Sequence, residues 1–174
     1  MFCPEYHNFK QVLSEKGLIM NATIADIEKF LGLKNIAMVG VSRDPKDFSR
    51  NLFRDLQKKG SDMIPVNPAA KEIEGQTCFD SISQIPEKVQ GMLIMTSPEK
   101  TEEVVREAMN SQPKFIWIYN QKGYNLLNRE TIEQCKKSGM SIIAGACPYM
   151  FFEDSAWFHR FHGWLLKLSG KYPN

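Results

Sequence analysis

The feature of this sequence that most constrains its fold is a regular alternation of short apolar runs with amphipathic segments between residues 35 and 145. Each apolar run is long enough for a buried strand and too short for a helix. The five runs are residues 35–41, 61–66, 89–96, 114–120 and 140–145. Strands that alternate with helices form parallel βαβ units, so we expect an α/β fold, a three-layer sandwich around a parallel sheet of about five strands.

The segments between these runs have the periodicity and the end signals of helices. In residues 48–60, Phe48, Leu52, Phe53 and Leu56 share one side, and Gly60 supplies a stop. At Ser97-Pro98, a capping hydroxyl followed by proline predicts the start of a helix that runs to about residue 110. Further helices are predicted at residues 23–32 and 128–139, and a loop with one short turn near residues 81–85 is predicted after the second strand.

Two flanks lie outside this alternating core, which we place at residues 23–150. Residues 1–22 show little pattern and are interpreted as an N-terminal extension, with Met20 as an alternative natural start. Residues 151–174 contain a predicted amphipathic helix, 154–169. Its apolar stripe consists of Trp157, Phe158, Phe161, Trp164, Leu165 and Leu168. So large an aromatic face is expected to pack either on its own domain or on a second chain, which would give a homodimer.

Composition narrows the class of protein. A chain of 174 residues suits one domain, and a net charge of +2 is too small to favour a nucleic-acid binder. No apolar run approaches the roughly 18 residues of a membrane span, and the first residues lack the pattern of a secretory signal. The four cysteines, Cys3, Cys78, Cys135 and Cys147, form no C-x-x-C pair. These features favour a cytoplasmic protein without membrane or nucleic-acid partners.

Right-handed crossovers would bring every strand-to-helix loop to one edge of the sheet, where ligands of such folds bind. These loops are residues 40–49, 66–71, 96–99, 119–125 and 145–149. The first of them reads Gly40-Val41-Ser42-Arg43-Asp44-Pro45, which is not the G-x-G-x-x-G of dinucleotide-binding folds. The second strand also ends without the carboxylate that holds a ribose 2′-hydroxyl, and the chain contains no G-x-x-x-x-G-K-[ST]. Classical NAD binding and P-loop ATP chemistry are therefore disfavoured.

What this edge does offer is one glycine, a hydroxyl and several cations ahead of a helix. The cations are Arg43, Lys46, Arg50 and, beyond the second strand, Lys71. Backbone N–H groups and guanidinium groups suit phosphate oxygens. A nucleotide with a pyrophosphate and a ribose phosphate fits this pattern, namely coenzyme A (CoA) or, less well, NADP. The alternative is that the cations only solvate a loop.

Residues 36–89 and 114–148 resemble the small CoA-binding domain family, whose Rossmann-like module also occurs in the succinyl-CoA synthetase alpha subunit. The resemblance covers residues 36–150 and rests on a strand ending in Gly40-Val41-Ser42, on "IPVNP" (64–68), on "SISQIPE" (81–87) and on the late Cys147-Pro148. It implies that Gly40, Val41 and Ser42 line the pyrophosphate with help from Arg43 and Ser49. It further implies that Val66, Asn67 and Pro68 border the adenosine and that Thr96, Ser97 and Pro98 lie across the crevice. "YNQKGY" (119–124) departs from the more apolar, glycine-ended turn of the family, at the end where pantetheine would lie.

The resemblance implies a protein that binds CoA or an acyl-CoA and that is non-catalytic or accessory. A synthetase built on this module needs further domains for which the chain has no room. The histidine pair of "HRFH" (159–162) is interpreted as surface or packing residues, and no metal is expected. Cys147 could meet a CoA thiol, but an inert half-buried cysteine is the simpler interpretation; Tyr119, Tyr124 and Tyr149 line the crevice or only pack. Two other functions stay open: an NADP-type or other nucleotide-dependent enzyme, and an interaction module with a relic nucleotide site.

Overall fold

A computed structural model of the chain describes residues 23–152. Its strands are β1 (Asn35–Val39), β2 (Asp62–Val66), β3 (Glu72–Ile73), β4 (Gln76–Thr77), β5 (Gly91–Ile94), β6 (Phe115–Ile118) and β7 (Ser141–Ala144). Five of them form a parallel sheet in the order β2-β1-β5-β6-β7. The predicted α/β fold and its five-stranded parallel sheet are confirmed.

Helices cover both faces of this sheet. They are α1 (Ile24–Leu31), α2 (Phe48–Lys58), α3 (Thr101–Ser111), α4 (Gln121–Asn125) and α5 (Arg129–Lys137), with 3₁₀ turns at Ile82–Gln84, Pro98–Lys100 and Pro148–Phe151. Helices α1 and α2 pack on the face that carries Ile36 and Met38 of β1, whereas α3, α4 and α5 pack on the face that carries Ala37 and Val39. Because β1 is buried on both faces, its sequence is a continuous apolar run rather than an alternating one.

The core under α1 explains one glycine of the sheet. A Cβ built on Gly91 of β5 would lie 2.6 Å from Leu33 Cδ1 and 3.0 Å from the Phe30 ring. Phe30 in turn packs edge-on against the fully buried Trp117, with ring centroids 5.1 Å apart. Since α1 approaches the sheet this closely, only a residue without a side chain fits at position 91.

The helix predicted to start at Ser97 begins differently. The chain first makes the 3₁₀ turn Pro98–Lys100, and the α-helix starts only at Thr101. Ser97 makes no side-chain capping bond, and the Thr101 hydroxyl donates instead to the Ser97 carbonyl at 3.2 Å. The prediction that the Ser97 hydroxyl caps this helix is therefore wrong, because the tighter first turn is closed by a different residue.

Two elements appear where the sequence predicts only loops. Strands β3 and β4 form an antiparallel hairpin whose turn residues, Glu74 and Gly75, have φ of 50° and 76°. Helix α4 occupies most of the 119–125 loop, and the Asn120 side chain accepts a hydrogen bond from the Lys122 N–H at 3.0 Å at its start. Both elements are too short for a hydrophobic period to predict.

Several expectations concern residues outside the described range. These are the N-terminal extension and Met20, the aromatic helix at 154–169 with its homodimer, and all three histidines. Within residues 23–152, no helix is both long and apolar enough to cross a lipid bilayer.

Candidate binding crevice at the carboxyl edge of the sheet

The crevice lies where the chain changes direction across the sheet. From β1 it moves outward to β2 and then returns to the other side of β1 as β5. The loops that follow β1 and β5 therefore diverge at the carboxyl ends of two neighbouring strands, which is the usual position of ligand sites in open α/β sheets.

Gly40 and Thr96 close the bottom of this crevice. Gly40 has φ of 87°, and a Cβ built on it would lie 3.0 Å from both the backbone nitrogen and Cγ2 of Thr96. Its N–H donates to the Val66 carbonyl at 2.9 Å, which ties the end of β1 to the end of β2. The close approach and the left-handed backbone both require glycine here.

The loop after β1 is held by short-range hydrogen bonds. The Ser42 N–H donates to Ser49 Oγ at 2.9 Å, and the Asp44 N–H donates to Ser42 Oγ at 3.1 Å. Ser49 is buried, and its hydroxyl also donates to Asp47 Oδ1 at 2.6 Å. Ser42 and Ser49, both predicted site residues, are thus engaged in shaping the loop.

The start of α2 is already capped by a carboxylate. Asp47 is the N-cap residue, and its Oδ1 accepts from the Ser49 N–H at 2.8 Å. In residues 23–152, the backbone N–H groups of Val41 and Arg43 have no hydrogen-bond acceptor. The side chains of Arg43 and Lys46 are exposed next to them. Anion-binding capacity on this loop therefore resides in the two open amides and in these two cations, while Asp47 places a carboxylate at the helix start.

Asn67 forms the wall on the β2 side. Its Nδ2 donates to the Val41 carbonyl at 2.7 Å, and its Oδ1 accepts from the Ala69 N–H at 2.9 Å. Val66 is buried in the core, whereas Pro68 is exposed at the rim. The side chain of Asn67 thus couples the two loops, with no carboxylate among residues 66–70.

Two buried polar atoms on this edge lack partners. Thr96 Oγ1, beside Gly40, and Gln121 Oε1, over the Cα of Gly145, are the unpartnered buried side-chain oxygens found among residues 23–152. Leaving such a group without a hydrogen bond costs about 1–3 kcal/mol. Both follow strands at the carboxyl edge, so the edge carries polar atoms that the protein itself does not satisfy. Gln121 lies in the "YNQKGY" segment, and the sequence did not single it out.

An aromatic cluster borders the crevice above α2. Phe48, the first residue of α2, is 37% exposed, and its ring centroid lies 5.1 Å from that of Tyr119 and 5.6 Å from that of Tyr149. Tyr119 and Tyr149 thus pack against the first residue of α2, whereas Tyr124 is buried in the core and burial raises the pKa of its phenol. Phe48 was predicted only as a core residue of the helix.

The cysteines of the described residues differ in position. Cys78 and Cys135 are buried, and burial raises the pKa of both thiols. Cys147 is half-buried in the loop after β7, two positions from Tyr149. Within residues 23–152, no three His, Cys, Asp or Glu side chains form a group that could hold a metal ion.

A separate groove of about 410 Å³ runs along β2, the first strand in the order of the five-stranded sheet. Asp62 and Glu87 contribute to its lining, and among the described residues that line it there is no lysine or arginine. An anionic ligand is therefore disfavoured there and favoured at the crevice beside Arg43 and Lys46.

The sequence and the fold of this chain are similar to those of known proteins. Residues 34–153 match the family model described as a CoA binding domain. A hypothetical protein from Pyrococcus horikoshii OT3 of solved structure shares 33% identity, with a TM-score of 0.64 over 75% of this chain and 89% of that one. The uncharacterized protein YneT of Bacillus subtilis is 28% identical over 74% of this chain and 93% of its own length. The acetate–CoA ligase [ADP-forming] II subunit alpha of Pyrococcus furiosus is 26% identical over 70% of this chain, which spans only 28% of that subunit.

Proposed function

The chain belongs to the CoA-binding domain family, and from this premise we propose that it binds CoA or an acyl-CoA in the crevice at the carboxyl ends of β1 and β5. The observation that carries the proposal is the loop after β1. It presents the unpaired N–H groups of Val41 and Arg43 beside two exposed cations, at a point where Gly40 lets backbone come close. Such donors suit the pyrophosphate and the ribose phosphate of CoA.

The two unpartnered oxygens support a ligand with hydrogen-bond donors. In this proposal, the amide and hydroxyl groups of the pantetheine arm lie along the carboxyl edge of the sheet, where Thr96 Oγ1 and Gln121 Oε1 are buried. Val66, Asn67 and Pro68 border the adenosine, and Ser97 and Pro98 form the opposite rim. Ser42 and Ser49 contribute by holding the loop amides in place.

We further propose that the chain holds CoA without turning it over. The match covers only 28% of the length of the named acetate–CoA ligase subunit, so it does not extend to the rest of that subunit. We expect no CoA-dependent formation of acetyl-CoA from acetate and ATP by this chain alone.

Titration tests the binding proposal. The reduced full chain is titrated with CoA, acetyl-CoA, dephospho-CoA, NAD, NADP and ATP, with heat of binding and melting temperature as readouts. At 100 times Kd, CoA should stabilise the fold by about 2.7 kcal/mol. CoA is expected to bind more tightly than dephospho-CoA and NADP. If none of the six ligands binds, the loop after Gly40 has only a structural role and the proposal fails.

Arg43→Ala should then weaken CoA binding about three- to fivefold, a loss on the order of 1 kcal/mol for an exposed charge. Arg129→Ala removes the same charge from a side chain that is 81% exposed on α5, where it pairs with Glu133. Equal effects of the two variants would mean that only the net charge matters.

A further inference from the structure

Two arginines of α2 share one carboxylate beneath the loop after β1. Glu74 Oε1 accepts from Arg50 Nε at 2.9 Å, from Arg50 Nη2 at 2.5 Å and from Arg54 Nη1 at 2.8 Å. The Arg50 side chain is only 11% exposed and that of Glu74 22%. Charge-assisted bonds of this kind are about twice as strong as neutral ones, so the three side chains form a defined unit, here called the brace.

The free faces of the two guanidinium groups bind the loop itself. Arg50 Nη1 donates to the Ser42 carbonyl at 3.3 Å and to the Arg43 carbonyl at 3.2 Å. Arg54 Nη2 donates to the Pro45 carbonyl at 2.8 Å. Three carbonyls of a four-residue stretch are thus turned toward the brace.

This orientation has a consequence for the opposite side of the peptides. In a trans peptide the carbonyl and the next N–H point in opposite directions. Because the Ser42 carbonyl points at Arg50, the Arg43 N–H points away from it, and this N–H is one of two in residues 40–47 that have no acceptor within the described part of the chain. Arg50 therefore does not offer its charge to a ligand directly, although the sequence places it among the candidate phosphate-binding cations.

Glu74 lies in the hairpin turn with an unfavourable, left-handed backbone conformation. Glu74 has φ of 50°, a region in which a residue with a side chain costs about 1–2 kcal/mol. The three charge-assisted hydrogen bonds from Arg50 and Arg54 offset this cost and hold the pKa of the Glu74 carboxyl below its usual value, chiefly through the hydrogen bonding from Arg50.

We propose that Glu74, Arg50 and Arg54 are positioning residues of the CoA site, which act by holding the loop after β1 so that the Arg43 N–H faces the crevice. The proposal rests on the proposed function. It names a role for the β3–β4 hairpin, whose Glu74 is linked to the loop through the two arginines.

The proposal predicts an effect with an unusual sign. Glu74→Gln removes a negative charge close to a site for an anionic ligand, so electrostatics alone would tighten CoA binding. Loss of the brace would weaken it instead, because the arginines would no longer hold the loop carbonyls. We expect about a tenfold weaker Kd, equivalent to one hydrogen bond to a charged group.

Glu72→Gln is the matched control. Glu72 lies in the same hairpin, is exposed and contributes no contact to the brace. It undergoes the same change of charge, so it should leave CoA affinity unchanged or slightly raise it. Arg54→Lys, which keeps the charge but loses the fork that joins Glu74 to Pro45, provides a second and milder variant.

Hydrogen exchange of the unliganded full chain gives a readout independent of CoA. Glu74→Gln and Arg54→Lys should accelerate exchange in residues 42–47, where the Asp44 and Lys46 amides are bonded within the loop, while leaving β5 and β6 protected. Glu72→Gln should not. Wild-type affinity in Glu74→Gln, or unchanged exchange in that segment, would overturn the proposal. Faster exchange together with a wild type that ignores CoA would overturn the proposed function while leaving the brace as a loop support only.

Discussion

The phenol of Tyr149 donates a hydrogen bond of 2.8 Å to Asp55 Oδ2, although the two residues are 94 positions apart. This bond fastens the turn after β7 onto the middle of α2. Tyr149→Phe should lower the free energy of unfolding by about 1 kcal/mol, because Asp55 is partly exposed and water can replace the lost donor. Urea denaturation of Tyr149→Phe, Asp55→Asn and the double variant measures the coupling. Strictly additive losses would show that the bond contributes nothing to stability.

Gly40 is predicted to tolerate alanine less well than other glycines with the same backbone. Gly40→Ala places a Cβ 3.0 Å from the Thr96 nitrogen, in addition to a φ of 87°. Gly139→Ala has a φ of 75° but meets nothing within 4 Å. We expect Gly139→Ala to cost about 1–2 kcal/mol and Gly40→Ala to cost clearly more. Equal shifts of the urea midpoint would contradict the close approach of β1 and the Thr96 backbone.

Thr96 and Thr101 should respond to valine in opposite ways. Thr96 Oγ1 is buried without a partner, so Thr96→Val should leave the unliganded protein as stable as before or about 1 kcal/mol more stable, while weakening CoA binding. Thr101 is fully buried, and its hydroxyl bonds to the Ser97 carbonyl, so Thr101→Val should destabilise the fold. Melting temperatures with and without CoA distinguish the two effects. A destabilised, normally binding Thr96→Val would show that its hydroxyl is structural.

Glu102 should make stability depend on acid pH. Burial raises its pKa, but hydrogen bonds from Thr131 at 2.6 Å and from the Asn128 N–H at 3.0 Å outweigh burial, and the folded-state pKa lies below the usual value. The unfolded state therefore binds more protons than the folded state in the acid range. The stabilisation is complete above the unfolded pKa, about 4.3, and is lost as pH falls through the lower folded value.

Glu102→Gln tests this linkage. The variant should be less stable than wild type at pH 7, and the difference should shrink as pH falls below about 4.3. Glu103→Gln, which changes an exposed carboxylate one position further along α3, should leave the pH profile close to wild type. Urea midpoints from pH 7 to pH 3 provide the measurement. Parallel profiles for wild type and Glu102→Gln would mean that the depressed pKa contributes no stability.

The sequence predicts well whatever depends on local pattern. The five buried strands, the helix with Leu52, Phe53 and Leu56, and the 3₁₀ turn at Ile82–Gln84 lie close to where the apolar runs, helical spacing and turn residues predict them. A strand that is buried on both faces is a continuous apolar run, and a helix that is buried on one face has apolar residues with a period of 3.6. Both environments can therefore be predicted from the sequence. The position of Gly40, at the end of the first strand and the start of the ligand loop, is also predicted from the sequence.

Tertiary structure alone decides which polar groups are available. Arg50 is a residue of the type that binds phosphate, yet its guanidinium is hydrogen-bonded to Glu74. Glu74 lies 24 positions further along the chain, in a hairpin of two-residue strands. The Ser49 hydroxyl is turned inward to the Ser42 amide, and the exposed Phe48 ring contacts Tyr119 in a tilted arrangement and Tyr149 edge-on. The sequence by itself determined the strands and the edge of the sheet, because these depend on hydrophobic pattern, and it indicated the family, because the motifs that carry the resemblance are short stretches of sequence. Which charges are paired and which amides stay open was decided only by folding, because a hydrogen bond depends on distances of a few ångströms between residues that the sequence does not place side by side.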